Sequence, residues 1–220
     1  MLTRELLSQS LPSLRLSDKV YQALQLMNDN HVTHLPITEG EKFIGNISEE
    51  DLLLAENDHA DLSSLEQSFS DVSVKEDEHF LKAVQLAADS GLSVVPVVSE
   101  ENELVGTLAY NDLLKFSSGF MSLGEPGGLI VLEMESNQYS FNEISKLVET
   151  NDAQITQLNT SNNAETGMMQ VTIRINKPDV ADIVASFQRY EYNVKYFFGE
   201  ELYTNELRSN YDNLMNYLKI

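Results

Sequence analysis

The chain contains no cysteine, which excludes disulfides, thiolate-bound metals and thiol nucleophiles. Positive charge is scarce: fourteen lysines and arginines stand against thirty-five aspartates and glutamates, a net −21. Such a surface repels nucleic acid and anionic membranes and leaves no basic stripe for either. No apolar run approaches the roughly 18 residues needed to span a bilayer. Met1-Leu2-Thr3-Arg4-Glu5-Leu6-Leu7-Ser8 places an acid inside its apolar stretch and has no cleavage-site pattern, so no signal peptide is expected; with no cysteine, a cytoplasmic location is the default expectation. The four histidines, His31, His34, His59 and His79, lack the spacing of a metal motif. No Gly-x-Ser-x-Gly elbow, Walker loop or Gly-x-Gly-x-x-Gly follows any expected strand. In so acidic a chain a carboxylate pair proves nothing about acid-base catalysis. The expectation is a protein that is not an enzyme, with no catalytic cofactor and no metal site.

What the chain does contain is one unit written twice. Ala23, Met27, Leu35-Pro36-Ile37, Gly45 and Asp51-Leu52-Leu53 return as Ala83, Ala87, Val95-Pro96-Val97, Gly106 and Asp112-Leu113-Leu114. The copies differ by one residue between the proline and the glycine, where a hairpin turn belongs. Each copy reads as strand, helix, strand, strand, helix. In the first, Ser17 is positioned to cap a helix through about Asn30, with Val20, Leu24 and Met27 on its apolar stripe. Strands are expected at Thr33 to Ile37 and Phe43 to Ile47, followed by a short helix from near Ser48 carrying Asp51. In the second, a helix is expected from about Glu78 to Asp89, strands at Val94 to Val98 and Leu104 to Leu108, and a closing helix from Tyr110 to Phe116. Through Ser118 the chain holds seven basic and twenty-one acidic residues, or −14. That acidity reads as a solubility surface, and an anionic ligand would need local donors or a metal counterion to enter.

The series His34-Leu35-Pro36-Ile37 and Gly45-Asn46-Ile47-Ser48-Glu49-Glu50-Asp51 resembles the signature of a CBS domain. Two copies in tandem resemble a CBS pair, or Bateman module, over about residues 1–118, with repeats at 1–60 and 61–118. The resemblance implies an adenine nucleotide between the repeats, AMP, ADP or ATP, with or without Mg2+. By the same resemblance the ribose and phosphate roles fall to Asp51 and Ser48, and Gly45 permits close backbone approach. His34 stands where the family often places a basic residue aimed at phosphate. The second copy keeps Gly106 and Asp112 but has Ala109 in place of the hydroxyl and Val94 in place of the histidine, so its site is weakened. Each of these residues also has a plainer reading: Ser48 as a helix cap, Asp51 as a complement to the helix dipole, His34 as a strand-end histidine. Asn46, where an apolar residue is usual, is open between a strand-edge polar residue and a ligand contact.

Turn formers from Ser117 to Gly128 mark a boundary. Beyond it, strands are expected at Leu129 to Met134, Ala153 to Leu158, Met169 to Ile175 and Asn193 to Phe198. Ser140-Phe141-Asn142-Glu143 reads as a capping box opening one helix, and Pro178 as the first turn of another. The order βαββαβ is ferredoxin-like. After a CBS pair, this module over about 127–199 resembles an ACT domain, and the whole is similar to CBS–ACT proteins of the acetoin-utilisation type. The Glu135 to Tyr139 loop lacks the glycine of ACT ligand sites. A tail at 200–220 carries a helical apolar stripe, Leu207, Tyr211, Leu214, Tyr217 and Leu218.

The fold class expected is therefore α+β. The function expected is regulatory ligand sensing, in which a nucleotide between the repeats alters the conformation of a homodimer that acts on a downstream protein partner. The alternative is an interaction scaffold whose clefts have lost their ligands. A weaker third reading is an enzyme with an unrecognised carboxylate arrangement.

Overall fold

The computed structural model describes residues 1–8 and 11–199. They fall into two compact units, Met1–Ser118 and the chain from Gly119 onward. The apolar stripe of the tail lies outside the described residues.

The first unit holds two three-stranded sheets of the same design. In the first copy β1 (Leu14–Arg15), α1 (Val20–Asn30), β2 (His34–Glu39), β3 (Lys42–Ser48) and α2 (Glu49–Leu53) follow in order. In the second, β4 (Val74–Lys75), α3 (Phe80–Ser90), β5 (Val94–Val98), β6 (Leu104–Ala109) and α4 (Tyr110–Phe120) do the same. The short first strand of each copy pairs in parallel with the second, which pairs antiparallel with the third. Both α1 and α3 end in a left-handed residue at the same place in the repeat, His31 at φ 54° and Gly91 at φ 65°. The extra residue of the second copy lies in its turn: Thr38 pairs with Phe43 in the first copy, whereas Val98 pairs with Leu104 in the second.

Strand alternation sorts the side chains. Leu35, Ile37 and Ile47 share one face of the first sheet and join Val20, Ala23 and Met27 of α1 in a common core. Met27, Leu35, Ile37 and Ile47 are each fully buried, worth about 1.5–3 kcal/mol apiece. His34, Pro36, Asn46 and Ser48 occupy the opposite face. The two copies meet through β2 and β5: Val94 enters the first copy's core cluster and the Thr33 amide donates to Ser93 Oγ at 2.9 Å.

Each copy is finished by the segment that precedes the other. The amide of Thr3 donates to the Glu78 carbonyl at 2.9 Å and that of Phe80 to the Met1 carbonyl at 3.2 Å, while Leu6 and Leu7 pack on the second core. Conversely, the amides of Val20 and Tyr21 donate to Ala60 and Asp58, and Leu62, Leu65 and Phe69 pack on the first core. This exchange explains a departure from expectation. Ser17 does not cap α1; the helix begins at Val20, because Asp18 closes a turn onto the Arg15 amide at 2.8 Å and the incoming 58–60 segment satisfies the first helical amides.

The second unit runs β7 (Gly128–Met134), α5 (Phe141–Glu149), β8 (Ile155–Asn162), β9 (Met169–Ile175), α6 (Ala181–Arg189) and β10 (Asn193–Phe198). Its sheet is antiparallel in the order β10-β7-β9-β8, the ferredoxin-like arrangement. Ile130, Leu132, Ile173 and Ile175 meet Ile144, Val148, Ile183 and Phe187 of the helices in one core. Two local expectations change. Only half of the capping box forms: Ser140 Oγ accepts from the Glu143 amide at 3.4 Å, but the Glu143 carboxylate accepts from the Tyr192 hydroxyl at 2.7 Å. Pro178 precedes α6 by three residues, because the 178–180 segment is committed to packing. A β-carbon on Gly199 would lie 2.3 Å from the Pro178 carbonyl oxygen, and one on Gly128 would lie 2.1 Å from Val180 Cγ1.

Candidate functional site

The antiparallel register sets His34 directly opposite Ser48, and Asp51 follows one turn into α2. Ser48 is the N-cap: its Oγ accepts from the Asp51 amide at 3.0 Å and donates to Asp51 Oδ2 at 2.5 Å. The His34 ring is half-buried, with Nδ1 3.1 Å from Thr33 Oγ1 and 3.4 Å from Ser93 Oγ, and it accepts from the Ser93 amide at 3.3 Å. Burial lowers the His34 pKa below its ordinary value, and the negative charge of Asp51 offsets part of that. At neutral pH the ring is therefore uncharged. With Nδ1 accepting from an amide, the ring proton sits on Nε2.

Gly45 serves the chain itself. A β-carbon there would lie 2.9 Å from Phe69 Cβ and 3.1 Å from the Ser70 carbonyl oxygen. Asn46 exchanges backbone hydrogen bonds with Ser70 at 2.7 and 3.0 Å, so residues 69–70 run along the free edge of β3. The Asn46 side chain is 2% exposed. Its Nδ2 donates to the Val72 carbonyl at 2.7 Å, while Oδ1 is buried without a hydrogen-bond partner among the described residues, a costly condition for an amide oxygen.

The second copy is built differently. Its Asp112 accepts from Ser8 Oγ at 2.7 Å and from Lys115 Nζ at 3.1 Å. The Ser8 hydroxyl is the larger of the influences that hold this carboxyl below its usual range, and Lys115 adds to it. Thus Ser48, Asp51 and His34 come together, Gly45 pairs with Ile37 three positions along the ladder and lies beneath Phe69, and Asp112 belongs to a separate cluster around Ser8.

A cavity of about 700 Å³ opens between the copies, within the roughly 300–1,000 Å³ range of small-molecule sites. Its walls include His31 at the end of α1, Gly91 and Ser93 after α3, and Ala109, Tyr110 and Asn111 at the start of α4. None of the five residues singled out from the sequence lines it; Ser93, in its wall, is bonded to the His34 ring. Ser93 and its counterpart Thr33 are hydroxyl residues in both copies, a signal that aligning the copies makes visible. Ser8 carries no such signal, since it lies outside both repeat signatures. In the second unit a cavity of about 480 Å³ near Glu135 and Gln138 is rimmed by Glu133, Glu143 and Glu191, an acidic setting for an amino acid's carboxylate. Among the described residues no three His, Asp or Glu side chains gather as a metal site, and no helix is long and apolar enough to cross a membrane.

Comparison with known proteins agrees with the repeat. The CBS domain family profile matches residues 4–58 and 68–119. A CBS domain pair/ACT domain protein from Thermotoga maritima is 23% identical, with 54% of this chain and 98% of that one covered and a TM-score of 0.49. A putative acetoin utilization protein from Vibrio cholerae is 20% identical over 56% of this chain and 95% of that one, TM-score 0.48. CBSX2, solved in complex with AMP, is 20% identical over 54% and 96%, TM-score 0.44. No curated protein matches the chain. With the signature matched twice and both copies folded to the same strand order, residues 4–119 are a tandem pair of CBS domains.

Proposed function

We propose that the CBS pair senses an adenine nucleotide seated between its copies, with the ribose hydroxyls on Asp51 and the phosphates near Ser48 and His34. One observation carries this reading: His34, Ser48 and Asp51 lie together in the first copy, and the Ser93 amide of the second copy donates to the His34 ring. A carboxylate is a natural double acceptor for vicinal hydroxyls. The neutral His34 offers an Nε2 proton, and an arriving phosphate would draw its pKa back up by supplying negative charge. In a unit of net charge −14, Mg2+ bound with ATP would lower the electrostatic barrier to entry.

A nucleotide that binds one angle between the copies more tightly than another shifts the population toward it, by no more than that difference in affinity. In a homodimer the shift would reach a protein partner, and the ferredoxin-like unit, read as ACT-like, would be one route. A second reading, an interaction scaffold with silent clefts, is favoured by the internal bonds of Asp112 and by the filling of the space over Gly45 and Gly106 by the chain's own residues.

Thermal shift with AMP, ADP and ATP, with and without Mg2+, separates the two. A native-state ligand at a hundred times its Kd stabilises by about 2.7 kcal/mol, and Asp51→Ala is expected to abolish that shift. No shift with any nucleotide, or an undiminished one in Asp51→Ala, overturns the proposed site.

A further inference from the structure

The second copy lacks, at Ala109, the hydroxyl that Ser48 supplies in the first, yet the start of α4 is not left bare. Ser8 Oγ accepts from the Ala109 amide at 2.8 Å and donates to Asp112 Oδ2 at 2.7 Å. The second is the bond that Ser48 makes to the Asp51 carboxylate, here delivered from 104 residues away in sequence, and the first ties Ser8 to the amide of Ala109, the residue at Ser48's own place in the repeat. The segment is firmly seated. The Ser8 amide donates to the Thr107 carbonyl at 2.8 Å, and Leu7 lies over Gly106, where a β-carbon would come within 2.9 Å of its Cδ1. Thr3 Oγ1 donates to the Lys75 carbonyl at 2.6 Å. Lys115 takes the other carboxylate oxygen of Asp112, so both oxygens are engaged by the chain.

We propose that Leu6, Leu7 and Ser8 form an intramolecular strap whose Ser8 hydroxyl occupies Asp112 in place of a ligand alcohol, closing the second cleft to sugar-bearing ligands. The chain then takes up one nucleotide, at Asp51. Opening the second site requires displacement of Ser8 by a competing diol. The inference rests on the reading that a carboxylate at this place in the repeat takes a ribose.

Isothermal titration of the full chain with AMP and with MgATP tests it. The wild type is expected to bind one equivalent and Ser8→Ala two, with the added one surviving in Ser8→Ala/Asp51→Ala; Ser8→Thr, which keeps the hydroxyl, stays at one. Carboxyl NMR reports whether Asp112 has been freed: its pKa rises in Ser8→Ala and not in Ser8→Thr. A Ser8→Ala protein that gains no equivalent, or one whose Asp112 titrates as in the wild type, overturns the strap. A wild type that binds nothing while Ser8→Ala binds one equivalent sinks the Asp51 site and leaves the strap standing.

Discussion

Gly45 and Gly106 occupy the same place in the two copies, and their replacement by alanine should have unequal consequences. Neither has a left-handed φ, so alanine strains neither backbone and gains about 0.4–1 kcal/mol by restricting the unfolded chain. The nearest atom to a new β-carbon is 2.9 Å away in both cases, at least about 0.6 Å inside the ordinary carbon separation of about 3.5 Å. The difference lies in what must yield. At Gly106 it is the end of the Leu7 side chain, Cδ1 and Cδ2, which can rotate. At Gly45 it is Phe69 Cβ and the Ser70 carbonyl oxygen, tied to Asn46 by hydrogen bonds at 2.7 and 3.0 Å. Overpacking against an immobile neighbour costs about 1–3 kcal/mol, and breaking the Asn46 pairing instead costs about 0.5–1.5 kcal/mol per bond. We therefore expect Gly45→Ala to lose about 1–3 kcal/mol and Gly106→Ala to lose less than about 1 kcal/mol. Urea denaturation followed by circular dichroism measures the loss, and hydrogen exchange at residues 44–47 locates it. Equal losses, or a larger one at Gly106, would refute the argument from rigidity. A Gly45→Ala protein of unchanged stability whose nucleotide-induced shift has vanished would show that the glycine faces a ligand and not Phe69.

Two further outcomes follow from single side chains. His34 has a folded-state pKa below its unfolded value of 6.5, so below about pH 6.5 the unfolded chain takes the proton first and native stability falls with the pH. His34→Gln is expected to flatten the melting temperature between pH 7 and about 5.5, where ordinary carboxylates barely titrate; an unchanged slope would refute the assignment. His31 holds φ 54° and ψ 42° at the end of α1, where the second copy has Gly91. His31→Gly relieves the left-handed strain and should raise stability by up to about 1 kcal/mol, read as a higher urea midpoint; a lower midpoint would mean that the imidazole contributes more than the strain removes.

The sites that the sequence made legible are those whose partners lie within one repeat. The Gly-to-Asp spacing puts Ser48 at a helix cap and Asp51 one turn on, and both the cap bond and the carboxylate bond are present. The loss of the hydroxyl at Ala109 was equally plain. What could not be read was its replacement, since Ser8 is brought to Asp112 by the path of the chain and not by local pattern. Gly45 is a similar case: its lack of a side chain signals a close approach but not what approaches.

Period-two alternation, helical stripes and the repeated signature act over ten residues or fewer, and they determined the strands, the helices, the duplication and the ferredoxin-like order of the second unit. Tertiary structure decided which segment completes which copy, with residues 1–8 on the second and residues 57–70 on the first. It also decided the Ser8–Asp112 bond and the burial of an Asn46 oxygen that has no hydrogen-bond partner among the described residues. The physical reason is range: a backbone preference is set by neighbouring side chains, whereas a contact spanning 104 residues exists only once both cores have formed and fixed where the connecting segments run.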